Sequence, residues 1–467
     1  MATSAASTTM YFEQFYLGCL AHASYLLGSE GEAVVVDPQR DVDMYLQAAS
    51  EHGLKIKHIF ETHLHADFVS GHRELARRTG ATIYIGAKAN AHFPHVALED
   101  GLEVQFGRGI ITALETPGHT PESVCLLVTD LEKSRKPWAV LTGDTLFLGD
   151  VGRPDLSATH TPQTLAGLLY DSLHKKLMAL PDDVVVYPAH GAGSLCGRNM
   201  RAEKSSTIGT ERLTNYALQI ATREEFVRQL TENLPARPEY FLKDAEINRE
   251  GAAGLDELPR LHSLTPEEVK TLLEKGAPAL DVRPGEDFAA GHIPGSINIA
   301  LSGQFATWAG TMLGLEARPI LIADADEQIA EAQIRLARVG LDAGQGYLVG
   351  GVKGWESAGY PVAKTAQMTV EELVRELGSG EISVLDVRRE PERKAGYVGE
   401  SSWWPLDRFK TDLPKIDKDR RVAVHCKSGY RSMVACSLLQ RAGYENVVNV
   451  TGGFDAWEKA AAPVAKG

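Results

Sequence analysis

Cysteine is scarce in this chain: five residues in 467, at Cys19, Cys125, Cys196, Cys426 and Cys436. They are odd in number and far apart, which excludes a disulfide framework and points to a reducing compartment. Positive charge is also short. Against 48 Lys and Arg stand 62 Asp and Glu, a formal net charge of -14, which argues against nucleic acid and anionic membranes as partners. Any anionic substrate must therefore be held by local Arg or Lys clusters. No run approaches the roughly 18 apolar residues of a membrane span. The first residues, Met1-Ala2-Thr3-Ser4-Ala5-Ala6-Ser7, show neither the basic nor the apolar stretch of a secretory leader. The expectation is a cytoplasmic protein. What is present is ordinary globular composition, 43% hydrophobic and 24% charged, in a length suited to roughly two to four domains.

The C-terminal half repeats itself. Leu280-Asp281-Val282-Arg283 recurs as Leu385-Asp386-Val387-Arg388, and Gly350-Gly351-Val352-Lys353-Gly354-Trp355 as Gly452-Gly453-Phe454-Asp455-Ala456-Trp457. The offset is roughly one hundred residues, the size of a small domain. Each copy opens with a helix start, Thr265 before Glu267 and Glu268, and Thr369 before Glu371 and Glu372. In both, a Thr stands at the N-cap with acid in the first turn. Short apolar strands alternate with amphipathic helices, an α/β pattern with a mostly parallel sheet. In the first half, strands such as Val34-Val35-Val36 end in Asp- or His-bearing loops. A helix is expected from Leu165 to Leu180, and a charged connector from about Arg201 to Leu261.

Metal-type residues run in order through that first half: Asp37, then His63, His65 and Asp67, then His119, Asp144 and His190. Each follows an apolar run, where strand ends can converge at one edge of a sheet. This order, with its Gly118-His119-Thr120 and Gly143-Asp144-Thr145 contexts, resembles the metallo-β-lactamase superfamily, whose two-metal site begins with His-x-His-x-Asp-His. Here the last position is Phe68, and a phenyl ring cannot ligate a metal. The resemblance narrows to persulfide dioxygenases, helped by the run from Gly143 to Leu156. It implies an αββα sandwich over about residues 10–210 and one Fe(II) per chain on His63, His119 and Asp144. That is the two-His, one-carboxylate set of non-haem iron oxygenases, with positions open to a persulfide and O₂. His65, Asp67, His190 and Asp37 would then orient ligands or water. Arg153 is a candidate for the substrate carboxylate, or else for a salt bridge to Asp150 or Asp155. Cys196, beside Arg198 in Gly193-Ser194-Leu195-Cys196-Gly197-Arg198, is a candidate sulfur acceptor with a lowered pKa, and Arg198 a candidate substrate contact. Cys19 and Cys125 read as core.

Cys426-Lys427-Ser428-Gly429-Tyr430-Arg431 follows the strand Val422-Ala423-Val424-His425 and precedes a helix expected from Ser432 to Ala442. Loop amides, the helix N-terminus, Lys427 and Arg431 can all face the sulfur and favour a thiolate. A shift from ~8.5 to ~6.5 would make the thiolate the major form at neutral pH. Phosphatase loops space Cys and Arg by five residues; four suit sulfur, and the run resembles rhodanese. The other copy carries Asp324 at the cysteine position, followed by Ala325-Asp326-Glu327-Gln328. It keeps the rhodanese opening Gly291-His292-Ile293-Pro294-Gly295 but cannot carry sulfane sulfur.

The whole resembles a persulfide dioxygenase–rhodanese fusion: residues 10–250 the dioxygenase with its connector, 260–364 an inactive rhodanese-like domain, and 366–467 a catalytic one. The resemblance implies oxidation of a low-molecular-weight thiol persulfide by O₂ to sulfite, with Cys426, Lys427 and Arg431 passing sulfane sulfur to sulfite to form thiosulfate. Relatives of this kind commonly form homo-oligomers. The competing expectation is a zinc thioester hydrolase like glyoxalase II, fused to a sulfurtransferase.

Overall fold

The computed structural model describes residues 10–232, 234 and 237–466. The chain divides into two compact units, one reaching to Leu258 and including Ala337–Gly340, the other beginning at Pro259.

The first unit is built on two six-stranded sheets. One runs β1 (Tyr11–Leu17), β2 (His22–Ser29), β3 (Glu32–Val36), β4 (Lys55–Glu61), β5 (Thr82–Gly86) and β6 (Val96–Leu98), in sequence order across the sheet. The other holds β7 (Glu103–Phe106), β8 (Gly109–Glu115), β9 (Val124–Asp130), β10 (Pro137–Gly143), β11 (Val185–Pro188) and β12 (Ser206–Thr207), again in order. Alternation along each strand assigns the faces. Val34 and Val36 join Leu126, Val128, Ala139 and Leu141 in the core between the sheets. Their neighbours Ala33 and Val35 pack outward with Tyr45 and Ala48 of the helix Asp43–Glu51. Cys125 and Val140 face outward on the second sheet, against Leu169, Leu173 and Leu177. Helices thus cover both outer faces of a sheet pair, the αββα sandwich expected from the sequence.

The helix expected over 165–180 is Pro162–Lys175, capped by the Thr161 side chain on the Thr164 N–H, followed by a separate 3₁₀ turn at Leu177–Ala179. The segment read as a connector folds into the helices Ile208–Thr214, Arg223–Thr231 and Tyr240–Glu250 of this first unit.

The second unit holds two five-stranded sheets. The first contains β13 (Ser263–Leu264), β14 (Ala279–Asp281), β15 (Ile297–Asn298), β16 (Ile320–Ile322) and β17 (Gly346–Leu348); the second contains β18 (Ala366–Met368), β19 (Ile382–Asp386), β21 (Ser402–Trp403), β22 (Arg421–His425) and β23 (Val447–Val450). A small antiparallel ribbon pairs β20 (Tyr397–Val398) with β24 (Val464–Ala465). The spatial orders are β13-β17-β16-β14-β15 and β18-β23-β22-β19-β21, all parallel and the same permutation twice. Both N-caps read from the sequence are formed: Thr265 and Thr369 each make a capping box with Glu268 and Glu372. The overall class is α/β, a sandwich followed by two rhodanese-like folds.

Candidate metal centre and sulfur-carrying loop

Strand register gathers the metal-type residues. Val36 pairs with Phe60, so Asp37 leaves β3 beside the Glu61–Thr62 end of β4. Gly143 pairs with Pro188, so Asp144 and His190 leave β10 and β11 side by side. A bridge between His22 and His190, with the Ala23 N–H donating to the Ala189 carbonyl at 2.7 Å, ties the two sheet edges together at this point. Gly143 has to be glycine: its φ is +52° and a Cβ there would lie 2.6 Å from Thr62 Oγ1.

The ligand atoms of His63, His119 and Asp144 lie within 4.8 Å of one another. His119 Nε2 is 3.3 Å from Asp144 Oδ2, and His63 Nε2 is 3.9 Å away. Both Nε2 atoms are buried without a hydrogen-bond partner. Their tautomers follow from the far side of each ring. His119 Nδ1–H donates to the Arg153 carbonyl at 2.9 Å. The Thr62 hydroxyl donates to Asp37 Oδ2 at 2.8 Å, so its oxygen is left to accept from His63 Nδ1–H at 3.0 Å. Each imidazole therefore turns an unprotonated Nε2 toward Asp144. Burial, together with neighbouring His65, holds the His63 pKa well below the ordinary value, and burial lowers that of His119. The Asp144 carboxyl is pushed up by burial, but His190, His119 and His63 outweigh this and keep it well below the usual range. Two neutral imidazoles and one carboxylate, dry and mutually oriented, are the donor set a divalent metal needs.

Around this set the structure places the other residues singled out in the sequence. Asp37 adopts φ +50°, an uncommon conformation for a non-glycine residue, and accepts the Thr62 N–H at 2.7 Å. His65 turns its Nε2 to Asp37 at 3.2 Å and Glu61 at 3.6 Å; burial opposes its charge, but these carboxylates raise its pKa. His190 lies between Asp144 (Nδ1, 2.8 Å) and Asp67 (Nε2, 2.8 Å), which overcome burial and raise its pKa well above the ordinary value. Phe68 is fully buried, its ring centroid 4.4 Å from that of His65 and 4.2 Å from that of His22.

The arginines are otherwise engaged. Arg153 makes two bonds to Asp155, at 2.6 and 2.8 Å, the salt bridge weighed as its alternative role. Arg198 donates to the carbonyls of Leu230 and Glu232. The lowered pKa expected for Cys196 is not found: burial first, then Asp67 and Asp144, push the thiol well up.

Several participants carry no motif. His22 is fully buried beside Phe68 and His190, with both ring nitrogens lacking a hydrogen-bond partner. Glu122 accepts the Leu64 N–H at 3.0 Å. Asn248, in the segment read as a connector, donates to the His65 and Phe68 carbonyls at 2.7 and 2.8 Å and accepts the Ser70 N–H. It is one of the four buried residues of the helix Tyr240–Glu250, with Tyr240, Phe241 and Asp244.

In the second unit, Cys426 follows β22 and is buried, as is Cys436, which packs within the following helix. Cys426 Sγ accepts the Gly429 N–H at 3.1 Å, and Ser432 Oγ is 3.6 Å away. The helix begins at Tyr430, two residues earlier than expected, and ends at Arg441. The carbonyls of Cys426 and Lys427 accept the Phe454 and Asp455 N–H groups, at 2.8 and 2.9 Å. Those bonds turn carbonyls away from the sulfur, leaving loop amides to face it. Lys427 is exposed. Arg431 forks onto Glu392 at 2.6 and 2.7 Å. Tyr430 donates to the Ala300 carbonyl at 2.8 Å, so the other rhodanese-like fold helps seat the loop.

Comparison with known proteins agrees with this architecture. Residues 17–190 match the metallo-beta-lactamase superfamily, and residues 265–358 and 369–460 each match the rhodanese-like domain. Human "Persulfide dioxygenase ETHE1, mitochondrial" is 33% identical over 221 residues, covering 45% of this chain and 77% of the relative. The chain belongs to the persulfide dioxygenase–rhodanese fusion family. A solved "Metallo-beta-lactamase" from Staphylococcus aureus is 32% identical with a TM-score of 0.65, covering 73% of this chain and 99% of that one. A hydroxyacylglutathione hydrolase of Francisella philomiragia is 33% identical over 177 residues, covering 38% of this chain and 65% of the relative.

Proposed function

We propose that this family member oxidises a low-molecular-weight thiol persulfide to sulfite, and that Cys426 carries sulfane sulfur. The observation that carries the reading is the pair of unprotonated, buried Nε2 atoms of His63 and His119 aimed at Asp144. The first reaction balances as RSSH + O₂ + H₂O giving RSH, sulfite and two protons. A single non-haem Fe(II) on those three residues would supply the O₂ chemistry when bound. The protein holds the ring tautomers through Thr62 and the Arg153 carbonyl. It excludes water with Phe68 and His22, and keeps His65 against Asp37. Arg153 acts as a positioning residue, since its own carbonyl orients His119. Asp67 and His190 form the second wall.

At the other site, the Gly429 amide and the Ser432 hydroxyl face the sulfur of Cys426. Sulfite would attack the outer sulfur of a Cys426 persulfide; the S–S bond breaks, thiosulfate leaves and the Cys426 thiolate returns. The working division is 10–250 for oxidation, 260–364 as support and 366–467 for sulfur transfer.

The test is metal content of the purified full chain with O₂ uptake on adding glutathione persulfide. About one iron per chain at the three-ligand site, with persulfide-dependent O₂ uptake and sulfite release, supports the reading. Zinc, no O₂ uptake and turnover of an acyl-glutathione thioester would replace it with the hydrolase that the Francisella relative's name describes.

A further inference from the structure

The cation that closes the sulfur-carrying loop already holds an anion from its own chain. Arg431 is met end-on by Glu392, whose carboxylate oxygens accept from Nη1 and Nη2 at 2.7 and 2.6 Å. That two-point fork is the geometry in which a guanidinium takes an oxyanion. We propose that Glu392 is the selectivity residue of the Cys426 site: by occupying the Arg431 fork it disfavours sulfur donors with a sulfonate head, of which thiosulfate is the simplest, and leaves thiol persulfides as the preferred donors. The inference rests on the reading of Cys426 as a sulfane-sulfur carrier, and it adds the direction in which that sulfur moves.

Both partners are set in place. Glu392 stands in the first turn of the helix Glu390–Ala395, where its Oε2 also accepts the Arg389 N–H at 3.0 Å. Burial pushes its carboxyl up, but Arg431 outweighs this and keeps it below the usual range, so Glu392 is an anion at neutral pH. Burial opposes the charge of Arg431, but Glu392 first and then the Cys426 sulfur raise its pKa. Arg431 is thus near enough to act on Cys426, and its charge is matched by Glu392. The two side chains are 15% and 28% exposed, so an anion arriving from solution competes with Glu392. The sulfur has the Gly429 N–H at 3.1 Å whether or not the fork is occupied. A thiol persulfide, R–S–SH, has no oxygens at its reacting sulfur and makes no use of the fork. The Cys426 thiolate attacks the outer sulfur, the S–S bond breaks and RS⁻ leaves, giving Cys426–S–SH. Sulfite enters as the attacking nucleophile and leaves bonded to that sulfur as thiosulfate. Thiosulfate is a dianion with a sulfonate head, which the occupied fork holds weakly. Sulfur therefore runs from thiol persulfide to Cys426 to sulfite.

The experiment compares two sulfur donors on the full chain and on Glu392→Gln, a change that retains the acceptor for the Arg389 N–H. Thiosulfate, with cyanide as acceptor, gives KM and kcat; glutathione persulfide, followed by the mass of the Cys426 peptide, gives the rate of sulfur loading. Glu392→Gln should lower KM for thiosulfate about tenfold, the weight of one charge-assisted hydrogen bond. The effect should fall on KM rather than kcat, because the freed fork binds the sulfonate head before and during transfer alike. The preference for glutathione persulfide over thiosulfate should shrink accordingly. Adding Arg431→Ala should abolish the gain. An unchanged or higher KM for thiosulfate in Glu392→Gln would overturn the proposal, since Glu392 would then be a prop for Arg431 and not a rival of the donor. So would a gain that survives in the double variant. Failure of the underlying reading looks different: Cys426 of the unmodified chain would gain no sulfur from either donor.

Discussion

The two rhodanese-like folds share a permutation of strands, a capping box and one buried ion pair, yet differ in the loop that in the second copy carries Cys426. In the second copy, Arg388 donates to Asp386 through Nε at 3.0 Å and Nη2 at 2.7 Å, and to the Gly396 carbonyl at 2.8 Å. In the first, Arg283 does the same to Asp281 at 3.0 and 2.6 Å, and to the Gly291 carbonyl at 2.8 Å. That pair supports the fold in both. Above it the copies part. The second presents Cys426 to the Gly429 amide. The first presents Asp324, and the Asp324 and Ala325 amides are taken by the side-chain oxygen of Gln328, at 3.0 and 3.2 Å. In the first copy the first two loop amides are thus committed to the loop's own glutamine. Scaffold and loop are therefore separable layers: both copies have the scaffold, and the loops above it differ.

The sharpest way to break this comparison is to move the nucleophile. Cys426→Ser should reduce thiosulfate sulfurtransferase activity by about 10³-fold or more, as loss of a covalent nucleophile does. Asp324→Cys in the same background should restore nothing measurable, because Gln328 occupies the amides. Restored transfer in that double variant would show that the first copy lacks only a cysteine.

The shared ion pair is the next largest effect. Asp386→Asn leaves Arg388 and Arg393 against a neutral amide, and should cost about 3–5 kcal/mol, as breaking a buried pair does. Asp281→Asn strands a single arginine that still has Asp324 at 3.8 Å, and should cost about 1.5–3 kcal/mol. Urea unfolding followed by tryptophan fluorescence reads this unit, since all six tryptophans except Trp138 lie within it. Equal losses would remove the distinction.

Acid should separate the same two carboxylates with opposite sign. Burial raises Asp386, but Arg388 and His425 outweigh it and the folded pKa is lowered. Its contribution is present above the unfolded carboxylate pKa and is lost as pH falls through the folded value. Asp281 is raised, by burial first and with Asp324 adding to it against Arg283. Its ionised form is disfavoured in the fold, so stability is gained as pH falls through that raised value. Across an acid series, the advantage of the unmodified chain over Asp386→Asn should shrink, while its advantage over Asp281→Asn should grow. Parallel trends for the two variants would contradict the assigned shifts.

Much of this was legible in the sequence because it is periodic or punctuated. The αββα faces follow from alternation at Ala33-Val34-Val35-Val36. The repeat announces the second unit, and His63, His119 and Asp144 stand in recognisable turns. What the sequence hid is long-range. Asn248 reaches back to the His65 and Phe68 carbonyls from a helix nearly two hundred residues further along the chain, in the segment read as a connector. His22 sits in a strand of ordinary apolar character and meets His190 only when the two sheets close. The pKa expected for Cys196 failed for a similar reason. Arg198 is two residues away in sequence, but its guanidinium bonds to the Leu230 and Glu232 carbonyls, while Asp67, far away in sequence, acts on the thiol.

The smallest effect concerns Gln328 itself. Gln328→Ala should cost only about 0.5–1.5 kcal/mol, since it removes two hydrogen bonds from amides that can turn to water. Its value lies in combination. In an Asp324→Cys/Gln328→Ala chain, the freed amides and the N-terminus of the helix Asp326–Ala337 would face the new thiol. A freed amide that turns to a thiolate stabilises it by about 0.5–1.5 kcal/mol, or roughly 0.4–1.1 of a pKa unit. The pH dependence of alkylation of the introduced thiol, with and without Gln328→Ala, reads that difference directly. A drop within this range would show that Gln328, as well as the absent cysteine, sets the character of that loop. No drop would mean that the acidic neighbours Asp326 and Glu327, rather than Gln328, set the character of that loop.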